Sequence, residues 1–369
     1  MPRVVTIGPY HHGFNCLIPM EDHKLRYLEK FLQYDQKFIL EDCIKKIVSW
    51  EDRARKCYDK PIYLSSSKFI EMMLVDGIFV IQLFLMYWNP NWRLDGDQIF
   101  AQPWMLIDIR RDMMLLENQM PFFAIEGLFK MVFGSHKQMP GLLELAYRFF
   151  KPATKIEKVP KVENEVKHLL DAIRLLYLPS KEWKYLEPQD NKYIPSATGL
   201  VAAGVKLSRA KSDSFDIKFI NGVLEIPPLI LQHTTESHIR NIIAFEQCYY
   251  PEESYMNDYM VFMDHLVNTP GDAKLLIDKK IIENGLGNEE AAAYLINGYC
   301  KDTFWWTRNG DFCDLRKALA AHCEMAYNSW KATLKRDYCG NPWAVISIIA
   351  GAVLLALTVV QTGCSILSL

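Results

Sequence analysis

Apolar residues run nearly unbroken at two places in this chain, and elsewhere they recur at helical spacing. From Trp343 to Val360 no residue is charged, and the uncharged stretch extends from Cys339 to Leu369. Eighteen helical residues span ~27 Å, close to the ~30 Å hydrocarbon core of a bilayer. The pattern therefore predicts one transmembrane helix over 341–361 and a short tail over 362–369, with Trp343, Ile346, Ile349, Leu354, Leu357 and Val360 as its anchor. The second run, Met72–Trp88, is nearly as apolar but contains Asp76 and Gln82. An acid near the centre of a span costs ~2.5–3.5 kcal/mol on insertion scales. A helix apolar all round is more simply a core helix, and this run is read as one.

Between these runs the spacing predicts a mainly helical body. Residues 20–50 are helical in pattern, with Leu25, Leu28, Phe31 and Leu32 on one face. Two helical stretches lie within 103–133, broken at Pro121, which cannot continue an interior hydrogen-bond ladder. Short amphipathic stretches follow at 141–150 and 161–177. Residues 151–195 are Pro-punctuated and polar in part, as a connector would be. A helix is expected from Pro195 to about Ser208. Phe215, Ile217 and Phe219 then alternate with polar residues, and Asn221-Gly222 precedes Val223–Ile226. That is a β-hairpin signal, since both turn residues accept positive φ, and it is the only sheet expected. Helices are expected again at 235–250, 254–268, 272–283, 288–300 and 312–338. The fold class predicted is mainly α: a helical multi-lobed body with one small β-hairpin and a single C-terminal transmembrane helix. Its parts are an N-terminal lobe over 1–150, a connector over 151–195 and a second lobe over 196–340 that holds the hairpin near 215–226.

With 369 residues, half of them apolar, the chain can bury a large core. A net charge of −2 gives no basic stripe for nucleic acid. The nine cysteines are odd in number and form no Cys-x-x-Cys pair, so they are read as reduced thiols. No apolar leader occurs in Met1–Gly13 and no Asn-x-Ser/Thr sequon anywhere, as expected of a cytoplasmic body. Arg316, Lys317, Lys331, Lys335 and Arg336 precede the terminal span and nothing basic follows it. The positive-inside rule then puts residues 1–340 on the cytoplasmic side.

No stretch declares a chemistry. The chain lacks Gly-x-Ser-x-Gly, a phosphate-binding loop and His-Glu-x-x-His, and Gly285-Leu-Gly287 is followed by Glu290 where a dinucleotide fingerprint needs glycine. The histidines and cysteines do not stand at zinc spacings, so neither a metal nor a cofactor is expected. Two polar clusters interrupt apolar runs: Glu117-Asn118-Gln119 with Pro121, and Glu246-Gln247-Cys248. Buried polar groups need partners, so both clusters, with Asp76 and Arg110 or Arg111, are read as hydrogen-bonded networks that fix helix packing. The competing reading makes Cys248 a nucleophile flanked by Glu246, with His265 or His233 as base.

Several blocks closely resemble one plant family, the "domain of unknown function 247" family. They include Val5–Gly13, which holds Gly8, Pro9, Tyr10, His11, His12 and Gly13, and also Met20–Leu28, Asp112–Phe123 and Ile194–Leu200. Ala203–Lys206, Leu224–Pro227, Asn241–Cys248, Phe262–Asp264 and Asn341–Trp343 belong to the same resemblance, which covers essentially the whole chain. It implies a plant, membrane-anchored protein without agreed catalytic residues. Some members are implicated in grass self-incompatibility as candidate pollen-side determinants, which implies recognition or signalling. Members usually carry a further stretch ahead of the Ile7–His11 block, so a shortened first lobe is expected here. The function expected is therefore interaction or signalling: a protein or peptide partner, a lipid bilayer at the C-terminus and residence at the plasma membrane, with the endoplasmic reticulum as the alternative membrane. An enzyme with an unrecognised site is the alternative.

Overall fold

The computed structural model describes residues 1–34, 40–134, 136, 138–156, 165–179, 193–211, 215–301, 310–325 and 342–367; side chains in the last stretch are described for 346, 347 and 349–362. The chain is mainly helical and forms two compact units that interleave along the sequence. The first unit takes Met1–Glu182, Ser212–Phe215 and Ile230–Tyr259, and the second takes Trp183–Lys211, Asp216–Leu229 and Met260–Leu369.

The first unit is built around one helix. Ile18–Phe31 (α1) and Leu40–Arg55 (α2) are followed by Ser66–Trp88 (α3), capped where the Ser65 hydroxyl accepts the Lys68 amide. Then come Gln98–Ala101 (α4), Pro103–Met113 (α5), Phe122–Phe133 (α6), Leu142–Thr154 (α7) and Leu169–Arg174 (α8). Helices α1, α2, α6 and α7 all pack on α3. Every residue from Met72 to Met86 is buried, Asp76 and Gln82 included, so the core reading of this run holds. Within it, Phe84 meets Phe149 and Phe150 of α7 with ring centroids 5.1 and 6.1 Å apart.

Asp76 is tolerated because it is paired. Lys24 Nζ of α1 donates to Asp76 Oδ1 (2.6 Å), Glu21 Oε1 (2.7 Å) and Thr6 Oγ1 (3.3 Å). Burial alone would lower the Lys24 pKa, but the two carboxylates outweigh it and hold the ammonium above its ordinary value. This lysine sets the buried face of α1. Met20, Lys24, Tyr27 and Phe31 turn inward, whereas Leu25, expected inside, is 48% exposed.

The chain start is also anchored by side chains. Asp112 Oδ2 accepts the amides of Arg3, Val4 and Val5, Asn118 Oδ1 accepts Ile7, and Asp76 Oδ2 accepts Gly8. Gly8 is required here: its φ is +84°, and a Cβ would lie 2.2 Å from the Gln119 carbonyl oxygen.

Thr235–Tyr249 (α10) and the first part of Tyr255–Leu266 (α11) complete the first unit. The second unit starts at Ala197–Ala202 (α9), and Lys206–Arg209 (β1) follows where helix was expected to continue. The helix stops at Gly204, whose φ is +90°, and Leu207 turns inward in register with Leu224. Lys218–Ile220 (β2) and Val223–Ile226 (β3) form the predicted hairpin, with Asn221 and Gly222 at φ 52° and 76°. The sheet is larger than a hairpin, because β1 adds to β3 in parallel and the order is β1-β3-β2.

Leu229, which begins Leu229–Leu231 (β4), donates its amide to Ile281 (2.8 Å). Pro270–Asp278 (α12) ends before the expected 283, because Lys280 takes φ 57° and Ile282–Asn284 (β5) begins. Glu289–Tyr299 (α13), Gly310–Glu324 (α14) and Pro342–Leu367 (α15) complete the unit. Asp272 joins α12 to α9: it closes a capping box with Thr269 and accepts the Thr198 amide and hydroxyl (2.9 and 2.7 Å). Among the described residues one helix is long and apolar enough to cross a membrane, and it is the buried α3. The described apolar part of α15, Ile349–Thr362, is shorter.

Candidate functional site

A cleft of about 620 Å³ opens in the first unit, within the range of ligand pockets. Five stretches far apart in sequence form it: Tyr10, the end of α2 with 57–60, the 116–123 block, 165–168, and the last turns of α10. The segment 165–168 is extended, so the helix expected over 161–177 begins only at Leu169; residues 157–164 lie outside the described residues. Lys167 holds the cleft together. Its carbonyl accepts the Phe122 amide at the start of α6 (2.8 Å), and its own amide donates to Asp171 Oδ2 (3.0 Å).

The walls are aromatic and charged. The Arg53 guanidinium lies 3.8 Å over the Phe123 ring and pairs with Glu165. Tyr10 stands edge-on to Tyr58 (5.6 Å), donates its hydroxyl to Asp59 (2.5 Å) and carries Lys60 over its ring (5.9 Å). Phe245 and Tyr249 stack along α10 at 5.6 Å. Glu117 and Lys167 are exposed at the rim.

Of the residues singled out in the sequence, Tyr10, Glu117, Gln119, Pro121 and Cys248 line this cleft. The others do different work. Asn118 is buried, and its amide donates to Val5 and Asp112 carbonyls. The Gln119 amide is fully engaged: it donates to the Met113 and Leu115 carbonyls and accepts the Leu170 amide. His11 is 9% exposed with Nε2 3.8 Å from Glu117, and burial lowers its pKa. Neither of its ring nitrogens has a hydrogen-bond partner among the described residues. His12 is half-buried, Pro9 likewise, and Gly13 is exposed with φ 82°.

Glu246 faces away from the cleft into the core at 0% exposure. It accepts from Arg174 Nε (3.1 Å) and from the Asn257 amide (3.0 Å). Burial outweighs these partners and pushes its pKa up to about 7. Arg174 also lies 4.0 Å over the Tyr250 ring and donates to the Glu253 carbonyl (2.8 Å). Gln247 donates to Asn257 Oδ1 (3.2 Å). Glu246 is thus buried and hydrogen-bonded within the core. The cleft histidine is His168, whose Nδ1 caps α8 by accepting the Asp171 amide (3.1 Å); burial pushes its pKa down to about 3.

Elsewhere, His238 sits against the Tyr177 hydroxyl (3.2 Å), and burial pushes its pKa down to about 4. No group of three His, Cys, Asp or Glu suited to a metal occurs among the described residues. Ile346, Ile349, Leu354, Leu357 and Val360 are exposed on α15. The side chain of Trp343 lies outside the described residues, as do Lys331, Lys335 and Arg336. Arg53, Lys60 and Lys167 were not legible as site residues, because a lone cation in a helical or loop pattern reads as a solvated face.

An α-helical body in two units, with an aromatic cleft in the first and an apolar helix at the end, defines a helical protein of no assigned chemistry. The chain belongs to the DUF247 family, described as plant protein of unknown function, which it matches over residues 1–357. It is 32% identical to the UPF0481 protein At3g47200 of Arabidopsis thaliana, over all of this chain and 83% of that relative. It is 21% identical to the putative UPF0481 protein At3g02645 of the same plant, over 98% of this chain and 86% of that relative. No solved structure matches the chain.

Proposed function

We propose that this protein is a membrane-tethered interaction or signalling component, anchored by α15, with its helical body on the cytoplasmic face of the plasma membrane and a protein or peptide partner. The observation that carries this reading is the exposure of apolar side chains on α15. Ile349, Leu355 and Val359 are 58%, 70% and 71% exposed. Such a contiguous apolar surface in water is costly, and lipid would cover it. The helix runs for 26 residues, or ~39 Å, ample for a bilayer core. The basic residues ahead of it and the uncharged tail behind it favour a cytoplasmic body.

The test is fractionation of plant cells expressing the full chain and a variant lacking 340–369. The full chain is expected to stay in membranes through a carbonate wash and the truncated one to be released. A full chain stripped by carbonate, or a truncated one retained, removes the anchor. A second reading, an enzyme working in the cleft, draws on Glu117, Gln119 and Cys248 sharing its walls. Cys248→Ser with unchanged biological activity would count against a thiol mechanism.

A further inference from the structure

We propose that the cleft of the first unit is a binding site for a small aromatic carboxylate, which slots its ring between the cleft's aromatic walls and places its anionic group at Lys167. The polar groups of the cleft are largely engaged by the protein itself. The Gln119 amide is bound on both its nitrogen and its oxygen, and the backbone amide and carbonyl of Lys167 are both taken. The Gln119 carbonyl accepts the Tyr58 hydroxyl (3.3 Å). An extended peptide needs free backbone donors and acceptors along its path, as in strand addition. These wall positions do not supply them, which disfavours a peptide here.

Aromatic faces and side-chain charge remain. Phe123 is covered on one face by Arg53, Tyr249 is 58% exposed and stacks on the buried Phe245, and Tyr58 lines the same cleft. A flat ring fits such walls by offset or edge-on contact, worth ~0.5–1.5 kcal/mol for each aromatic pair beyond area burial. The charge is localised. Arg53 already has Glu165, and Asp59 already accepts Tyr10. Lys167 and Cys57 line the same cleft. Among the described residues no carboxylate lies within ion-pair distance of Lys167 or of Lys60, which also lines the cleft but already sits over the Tyr10 ring. A ligand anion beside Lys167 and the Arg53–Glu165 pair therefore gains a charge-assisted partner at the end of an apolar slot. The volume admits a ligand of drug size or smaller.

The experiment uses the full chain in detergent micelles and three defined probes: 3-phenylpropionate, its neutral amide, and acetate. Binding is read by ligand-observed NMR and by protection of Cys57 and Cys248 from iodoacetamide, with exposed Cys16, which is outside the cleft, as internal control. Saturable binding of 3-phenylpropionate is expected, at least tenfold weaker for the amide and absent for acetate. Both cleft thiols should be protected and Cys16 should not. Lys167→Glu should weaken the carboxylate at least tenfold, Lys167→Arg should restore it, and Tyr249→Ala should weaken acid and amide alike. Lys167 and Tyr249 are exposed, so the fold should survive, which an unchanged thermal midpoint verifies. Equal binding of acid and amide, binding unaffected by Lys167→Glu, or no binding at all overturns the proposal. So does capture of carboxylate-ended tetrapeptides in place of the small acid, which would make the cleft a peptide site.

Discussion

Helices α3 and α15 are close in length and composition, yet they stand in opposite surroundings. Helix α3 has 23 residues and is buried almost throughout by four neighbours. Helix α15 has 26, and its described apolar residues are exposed. Apolarity alone therefore does not decide whether a helix is buried by its own protein. Polar residues are the better guide. Helix α3 carries Asp76 and Gln82, and each has a partner: Lys24 for the acid, and the Tyr34 hydroxyl (3.2 Å) for the amide. Helix α15 carries no charge at all. A partnered acid inside an apolar run marks a helix whose neighbours belong to the same protein.

The strongest way to break this contrast is to remove the partner. Lys24→Met leaves the Asp76 charge buried, and breaking a buried pair from one side costs ~3–5 kcal/mol. Urea unfolding of the full chain in micelles should show that loss. Lys24→Met with Asp76→Asn should regain most of it, because the amide oxygen still accepts the Gly8 amide. In α15 an acid has no partner to meet. Leu354→Asp should leave the unfolding midpoint alone and weaken retention in carbonate-washed membranes. A midpoint that drops with Leu354→Asp would place α15 in a protein core.

Truncation of a large side chain sharpens the same contrast. Phe84 is fully buried against two α7 phenylalanines, so Phe84→Ala should cost ~3–5 kcal/mol. Leu355 is 70% exposed, and Leu355→Ala should move the unfolding free energy by less than ~0.5 kcal/mol. Equal losses at the two sites would mean that the helices share one environment.

A second buried pair in the first unit, Arg174 with Glu246, differs from Lys24 with Asp76 in how it titrates. Glu246 has an ordinary pKa of 4.5, and burial pushes it up to about 7. Between those values the folded state holds a proton that the unfolded chain has lost. Its stabilising contribution is therefore complete below about pH 4.5 and falls by ~1.4 kcal/mol per pH unit until about pH 7. The buried histidines His168 and His238, held below their ordinary range, act in the opposite direction. The clean measurement is therefore the stability of wild type minus that of Glu246→Gln at each pH. That difference should decline from pH 5 to 7 and then level. A flat difference would mean that the carboxylate is ionised throughout.

What the sequence made legible follows the same division. The buried run at 72–86 and the Asn221-Gly222 turn were both readable, because each rests on local chemistry, an unbroken apolar run and positive φ; Pro121 stands where α6 begins, whereas α5 already ends at Met113. Strand β1 was not readable. Four residues reading Lys-Leu-Ser-Arg carry no period, and they become a strand only by pairing with β3. The inward face of α1 was misread for a related reason. Lys24 looks like a solvent residue until Asp76, 52 positions away, supplies its partner. Of the polar blocks at 117–119 and 246–248, Asn118, Gln119 and Glu246 are buried and hydrogen-bonded while Glu117 and Cys248 are exposed, and the cleft was not legible. Its cations, Arg53, Lys60 and Lys167, acquire meaning only when five distant segments meet.

The smallest test compares the glycines near the middle of each helix. Alanine is favoured over glycine in a helix interior by ~0.8–1.0 kcal/mol. At Gly77 of α3 a Cβ would approach Leu128 Cδ1 to 2.9 Å and Met120 Cε to 3.4 Å. Both are ends of flexible side chains, so they can shift, but in a packed core that shift offsets the helical gain. Gly77→Ala should therefore change the unfolding free energy by no more than ~1 kcal/mol. At Gly351 of α15 nothing lies within 4 Å. A Cβ there meets no protein atom, so Gly351→Ala should leave the unfolding of the body where it was, to within ~0.3 kcal/mol. A clear loss at Gly351 would mean that another protein surface packs against α15, and the helix would then be an interface.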